Sequence, residues 1–438
     1  MSIIKPQEYA ERRQHLFAAM GKGAIAIVGS AAEILRNGDS HFPFRQQSDF
    51  YYLTGFNEPE AIAVFIPGRA QGEYILFSRP RDPAMETWNG RRAGQAGAIK
   101  DYGVNEAFSI HEFSERLPQL MAECQRVYYP IGRQAALDEL ILSAVNAIRR
   151  KVRAGYIAPL EFVNIEHTLH EMRLIKSSAE IEVMRKAAAI SVEAHQRAME
   201  KCRVGLYEYQ IEAEMQYEFQ RKGSKSPAYN FIVGGGENAC ILHYNENNAV
   251  LKEGDLLLID AGCEYENYAS DITRTFPING RFTAEQRAVY EVVLEAQLAV
   301  IASVRPGLRW NETHELGVRK ITEGLIKIGL LQGDIEELIA TRAYDKFYMH
   351  LTGHWLGLDV HDAGTYKKAG EWRVLAPGMV FTVEPGIYIA ANTQGVDPKW
   401  WNIGIRIEDD IVVTENGCEV LTAGLPKTIA EIEALVGK

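Results

Sequence analysis

Three of the chain's 11 histidines, His350, His354 and His361, stand within "HLTGHWLGLDVHDAG". Rings so crowded are costly to bury without partners. A metal site, an acid–base site or a nucleic-acid surface would each account for them, and so would three partly exposed loop histidines. The acids of the chain narrow the choice. "LKEGDLLLIDAG" (Leu251 to Gly262) aligns with "LAPGMVFTVEPG" (Leu375 to Gly386), with leucine, glycine, acid and glycine at matching places. Each copy reads as a turn glycine, an apolar strand and one carboxylate at the strand's end: Asp260 in the first, Glu384 in the second. A second strand follows each copy and brings another acid, Asp271 in "YASDITRTFPI" and Glu408 in "GIRIEDDIVV". A single acid at a strand end commonly caps a turn in solvent. Four acids in two matched hairpins point instead to one shared axis.

Four carboxylates at one point repel, and most would have to protonate. Two divalent cations cancel that charge, and His354 is then the natural fifth ligand. Oxygens with one imidazole form a hard set, which favours manganese, cobalt or iron over a thiolate-type zinc site. Two such ions can hold a bridging hydroxide as nucleophile and polarise a substrate oxygen. A nucleophilic serine or cysteine finds no support, since there is no GxSxG and no suitably placed Cys–His pair. The run Gly234-Gly235-Gly236 lacks the Lys-Ser/Thr of a phosphate loop and reads as a tight turn.

The elements that must position these groups follow from periodicity. At 438 residues the chain calls for two domains, and its 47% apolar and 24% charged residues are those of a globular protein. The first strands are "AIAIVG", "AIAVFI" and "EYILF", alternating with helical stretches in an α/β domain. Ser177 and Glu180 have capping-box spacing, which predicts a helix from about Ser178 with Ile181, Met184, Ala188, Val192 and Met199 on its apolar side. Thr283 and Gln286 predict a second such helix, stopping at Pro306-Gly307. His195, on the first of these helices, reads as structural. The net charge of −11 argues against a nucleic-acid partner. Five cysteines without a CxxC spacing fit a reducing cytoplasm. No run approaches a membrane span, and the start has no signal-peptide apolar region.

With Asp260, Asp271, His354, Glu384 and Glu408 assembled, the sequence resembles the pita-bread metallopeptidases, and within them the bacterial aminopeptidase P branch. "FRQQSDFYYLTGFNEPEA" resembles that branch's amino-terminal domain. "ILHYNEN", "LIDAGCEYENYASDITRTFP", "HWLGLDVHDAG", "VEPGIY" and "GIRIEDD" match its peptidase domain in order. The resemblance implies an α/β (α+β) chain. A small α/β domain over 1–172 would precede a pita-bread catalytic domain over 173–438, an antiparallel pseudo-two-fold sheet flanked by helices. It implies hydrolysis of the first peptide bond in peptides with proline second. Two divalent ions are expected, manganese first, with cobalt, iron or zinc as alternatives.

The resemblance also distributes roles. Asp260 would chelate one metal, Asp271 and Glu408 bridge both, and His354 and Glu384 complete the second, with Glu384 also taking the proton of the attacking water. His243 and His361 would hydrogen-bond substrate and stabilise the tetrahedral intermediate. His350, Tyr388 and Arg406 would wall the proline pocket. Arg406 has a second reading as a charge that neutralises the acids, and strand alternation would put it on the face of Glu408. Trp88 would be an interface or substrate-edge residue, or else a packed surface tryptophan. A homo-tetramer or dimer is implied, with no membrane or nucleic-acid partner. Prolidase, which accepts dipeptides, is the alternative enzyme. A metal-free pita-bread binding module is the non-enzyme alternative.

Overall fold

The apolar runs near the amino terminus become strands of one mixed sheet. The computed structural model describes residues 3–438. In it β1 (Ala24–Gly29), β2 (Ile62–Phe65), β3 (Tyr74–Ser78), β4 (Glu106–Ser109), β5 (Arg126–Tyr128) and β6 (Glu161–Val163) lie in the order β4-β3-β2-β1-β5-β6. β1 pairs antiparallel with β2 and parallel with β5. Ile25, Ile27, Val64, Ile75 and Phe77 pack against Phe113 and Leu117 of one helix and Ile141 and Val145 of another. β3 is buried along its whole length, which is why "YILF" reads as an unbroken apolar run rather than an alternating one. This first compact unit ends at Arg173, and the second runs Leu174–Lys438.

In the second unit both expected helices form where their caps put them. Helix α1 (Ser178–Lys201) and helix α2 (Ala284–Ser303) each open with a complete capping box, Ser177 with Glu180 and Thr283 with Gln286. α2 stops at Ser303, ahead of the proline–glycine pair. Val304 is already extended, and Pro306 disfavours helix at the residue before it. His195 is fully buried on α1 and bonds the Ala261 carbonyl through Nε2 at 2.9 Å, just beyond the first strand acid.

The two repeat copies become two antiparallel strand pairs. β7 (Leu256–Asp260) pairs with β8 (Thr273–Pro277), Asp260 opposite Thr273. β9 (Val380–Val383) pairs with β12 (Asp409–Thr414), Val383 opposite Asp409. The aligned glycines are turn residues in both: Gly254 has φ +83° and Gly378 φ +87°, a region that side-chain-bearing residues avoid. Between β9 and β12 the second copy inserts a further hairpin, β10 (Gly386–Ile389) with β11 (Ile403–Arg406). The copies are stitched together at the acids. The Glu408 N–H donates to the Thr273 carbonyl at 3.1 Å, and Thr275 Oγ1 donates to the Arg406 carbonyl at 3.1 Å. Leu256 to Ile259 and Val380 to Val383 are all buried. At roughly 1.5–3 kcal/mol for each large apolar side chain, that burial outweighs the cost of leading a carboxylate to each strand's end.

Candidate active site

The strand ends bring their acids into one cavity of about 630 Å³, lined by Asp260, Asp271, His354, Glu384 and Glu408 among others. Asp271, His354 and Glu408 each place one ligand atom within 4.8 Å of the other two. The His354 Nε2 lies 3.3 Å from Asp271 Oδ2 and 3.5 Å from Glu384 Oε1. Its Nδ1 lies 3.0 Å from the Trp355 carbonyl, an acceptor only, so Nδ1 carries hydrogen and Nε2 is the nitrogen turned to the carboxylates. Burial opposes charge on this ring, but Asp271 and Glu384 raise its pKa to about 9.

Burial, with repulsion from Asp271, Glu384 and Asp260 that Arg406 only partly offsets, lifts Glu408 well above the carboxylate range. Asp271 is raised by burial and by Asp260. Glu384 is pushed up to about 7, by burial and the charge of Asp271. Such a group of oxygens around one imidazole is unfavourable by itself and is satisfied by hard cations. The residues present therefore fit a divalent metal centre.

Residues 182–415 match the family described as metallopeptidase family M24, and residues 9–128 match the aminopeptidase P amino-terminal domain. The chain belongs to the M24 metallopeptidases. It is 48% identical to the Xaa-Pro aminopeptidase of Escherichia coli strain K12 over 437 residues, 100% of this chain and 99% of that protein. It is 45% identical to the Xaa-Pro aminopeptidase of Haemophilus influenzae, covering 100% of this chain and 98% of the relative. Among solved structures, Pseudomonas aeruginosa aminopeptidase PepP matches with TM-score 0.98 at 58% identity, over 99% of this chain and 98% of that one. Zinc-substituted E. coli aminopeptidase P in complex with product matches with TM-score 0.96 at 48% identity, over 99% of this chain and 98% of that one. The fold is thus mixed α/β with a carboxy-terminal pita-bread domain, and the M24 chain is a metal-dependent hydrolase.

The remaining expected residues of this M24 site divide by location. His243 and His361 are both accessible and line the same cavity. The His361 ring meets His354 edge-on, with centroids 4.2 Å apart. Burial and the neighbouring His354 and His243 lower its pKa, which keeps it a neutral ring. His361 sits in a turn held from below. Asp362 forms a buried ion pair with Lys176 at 2.8 Å, and its N–H donates to the Trp355 carbonyl at 2.8 Å.

His350, Tyr388 and Arg406 form one chain of contacts. His350 Nε2 is 2.9 Å from the Tyr388 hydroxyl, and Arg406 Nη1 donates to that hydroxyl at 2.7 Å. Burial and the Arg406 charge lower His350 to about 4, so it stays neutral. Arg406 also donates to Asp260 Oδ2 at 2.6 Å and to Thr273 Oγ1 at 3.1 Å. The strand stops at Arg406, so Glu408 lies outside it, yet both side chains still reach the cavity. Trp88 lies in the first unit, on the helix Pro83–Asn89, and is 84% exposed. The packed-tryptophan reading is corrected by that exposure.

Sequence reasoning missed Tyr229. Its hydroxyl bonds both Asp260 Oδ1, at 2.6 Å, and Asp271 Oδ1, linking two acids of the cluster. It lies outside both repeat copies, in "SPAYNF", and no spacing marks it. Thr382 was missed as well. Its Oγ1 accepts the His354 N–H at 3.1 Å and donates to Glu384 Oε1 at 3.2 Å, tying ligand and acid together. Its signal was a polar residue at the third place of the apolar run "VFTV".

Proposed function

We propose that the chain is an Xaa-Pro aminopeptidase, hydrolysing the first peptide bond of peptides with proline at the second position. The observation that carries this is the convergence of Asp260, Asp271, His354, Glu384 and Glu408 on one cavity whose wall includes His350 and Arg406. Those five residues would hold two divalent ions, manganese first, with cobalt, iron or zinc also suited to the donor set. When bound, such ions supply Lewis-acid polarisation of the scissile carbonyl and a water acidified enough to attack it.

The chain's own residues do the rest. Glu384 takes the proton of the attacking water, as a carboxylate at the end of a buried strand beside the other acids. His243 and His361 donate hydrogen bonds to substrate and to the oxygen that gains charge. His350 presents a shaped wall to the proline ring, whose nitrogen offers no N–H to recognise, while Tyr388, expected in that wall, is buried behind it and holds His350 through its hydroxyl. Glu384 and Thr382 stay coupled through their hydrogen bond, which keeps the base oriented.

The prolidase alternative needs a cation free to capture a dipeptide's carboxylate. Arg406 is not free in this sense, because its charge is paired with Asp260 at 2.6 Å and its Nη1 and Nε each already donate, to Tyr388 and Thr273. This supports a site open to longer peptides and the neutralising role for Arg406. We read 1–172 as the aminopeptidase P-type domain and 173–438 as the catalytic domain, with Trp88 at a substrate edge or an interface of a homo-tetramer or dimer. No described helix is long and apolar enough to cross a membrane. The five cysteines are unpaired, which supports a cytoplasmic setting. The test is hydrolysis of Xaa-Pro-Yaa peptides against Xaa-Pro dipeptides with manganese present. Cleavage of longer peptides at the first bond, with kcat/KM at least equal to that for dipeptides, is expected. An enzyme that turns over dipeptides and ignores longer peptides would be a prolidase.

A further inference from the structure

Glu208 is fully buried, and none of its hydrogen-bond partners is basic. It is the first residue of the helix Glu208–Arg221, where the helix end favours a negative charge. Its two oxygens take four hydrogen bonds, all from one stretch of chain. Oε1 accepts from the Gly235 N–H at 2.8 Å and from Asn238 Nδ2 at 3.0 Å. Oε2 accepts from the Tyr244 hydroxyl at 2.8 Å and from the Ala249 N–H at 2.9 Å. One oxygen thus holds the start of the stretch and the other its end.

From Ile241 to Ala249 that stretch has neither helix nor strand. No ladder of backbone bonds sets its path, so side-chain anchors must. Asn247 is a second anchor. It is buried, accepts the Val233 N–H at 3.0 Å and donates to the Phe231 carbonyl at 3.0 Å. Between these anchors sits His243, directly before Tyr244 and pointed at the cavity that holds the acids. Charge-assisted bonds to an ionised carboxylate are the stronger kind, and a buried acid stripped of them carries the full cost of its desolvation. Gly234 and Gly235 of the glycine run lie in the strand Ile232–Gly235 rather than in the expected tight turn, and Gly235 has its explanation here. A side chain at Gly235 would press on Leu251 at 3.1 Å and approach Glu208 Oε1 at 3.4 Å.

We propose that Glu208 is a positioning residue that acts on catalysis through His243, by clamping both ends of the stretch that carries it. The inference rests on the transition-state role given to His243 above. It places a residue outside the cavity, at the start of the helix Glu208–Arg221, in control of a donor inside it.

The test is a double-mutant cycle on the metal-loaded full chain with an Xaa-Pro-Yaa peptide. His243→Ala should lower kcat by on the order of 10²-fold. Glu208→Gln keeps the shape but replaces one acceptor oxygen with a donor amide, and should lower kcat by roughly 10-fold with KM and metal content little changed. In the His243→Ala background Glu208→Gln should cost less than about 2-fold, because the donor it positions is gone. Losses that instead multiply to roughly 10³-fold would overturn the proposal and leave Glu208 a purely structural anchor. If His243→Ala leaves kcat unchanged, the reading of His243 fails first, and that result is distinct. Tyr244→Phe guards against misfolding of the Glu208 variant. It deletes a single bond to the carboxylate, should lower kcat by about 3-fold, and should likewise lose its effect without His243. An effect of Tyr244→Phe that persists in full in the His243→Ala background counts against the proposal.

Discussion

Glu408 and Asp409 are neighbours in the chain, both buried, and they live in opposite electrostatic worlds. Asp409 accepts from Arg274 Nη2 at 2.8 Å, Gln297 Nε2 at 2.7 Å, Thr422 Oγ1 at 2.7 Å and Lys427 Nζ at 2.6 Å. Burial alone would raise it, but Arg274 and Lys427 hold it down to about 2. Glu408 faces the other way, into the cavity. There Thr273 Oγ1 donates to it at 2.7 Å, while burial and the charges of Asp271 and Glu384 drive its pKa well up. Asp410 returns to the side of Glu408, and both its oxygens accept the Asp271 N–H at 3.2 Å. Side-chain alternation along extended chain sorts the three acids: Arg274 and Lys427 both pair with Asp409, whereas the cavity's arginine, Arg406, is bonded to Asp260 and not to Glu408. A buried acid given bases is part of the framework. A buried acid denied them is kept for a cation the protein does not itself supply.

The sharpest way to break this contrast is to neutralise one acid on each side. Asp260→Asn or Glu408→Gln should lower metal occupancy and cut turnover by more than roughly 10³-fold, beyond the loss of a single transition-state donor. Circular dichroism should show the fold largely intact. A variant that keeps full metal content and activity would remove that acid from the ligand set. Asp409→Asn should do the reverse. It leaves Arg274 buried without its charge partner, a loss of about 3–5 kcal/mol, visible as a lower Tm with metal binding retained by the molecules that fold. Unchanged stability would mean that the Arg274 knot is not a framework element.

His361→Ala tests the boundary between ligand and donor. It should lower kcat by on the order of 10²-fold without moving metal content. Loss of metal, measured by elemental analysis, would place His361 among the ligands instead. The smallest effect concerns acid. Asp49 in the first unit repeats the Asp409 arrangement: burial raises it, yet His170 and Arg173, the latter at 2.8 Å, bring it down to about 2. Its ordinary value is 3.8. A lowered folded pKa means stability that is complete above about pH 4 and is lost as pH falls towards 2, amounting to about 2 kcal/mol. Thermal melts of Asp49→Asn should therefore show a smaller drop between pH 5 and pH 2.5 than the parent. Equal drops would mean that the pair does not shape the acid limb.

Both capping boxes were legible because a capping box is local. Ser177 and Glu180 lie within one turn, as do Thr283 and Gln286, and the bonds form in any chain that starts a helix there. The repeat was legible because turn glycine, buried strand and terminal acid are all near one another in sequence. The partners of those acids were not. Tyr229 reaches Asp260 and Asp271 across 31 and 42 residues, Arg274 reaches Asp409 across 135, and Lys176 reaches Asp362 across 186. Nothing in a local window distinguishes these groups from any buried tyrosine, arginine or lysine.

Residue type and order by themselves determined that this chain carries four acids in two matched repeat copies and a histidine suited to hard cations. Types and short spacings decide strands, caps and donor chemistry. Only the tertiary structure decided which buried acid is paired with bases and which is left facing other acids. It bonded Arg406 to Asp260, deciding between its two readings for the neutralising one, and set Glu208 against both ends of the stretch that carries His243. The physical reason is that a carboxylate's energy depends on what stands within a few ångströms of it in space, and folding brings those neighbours from far along the chain.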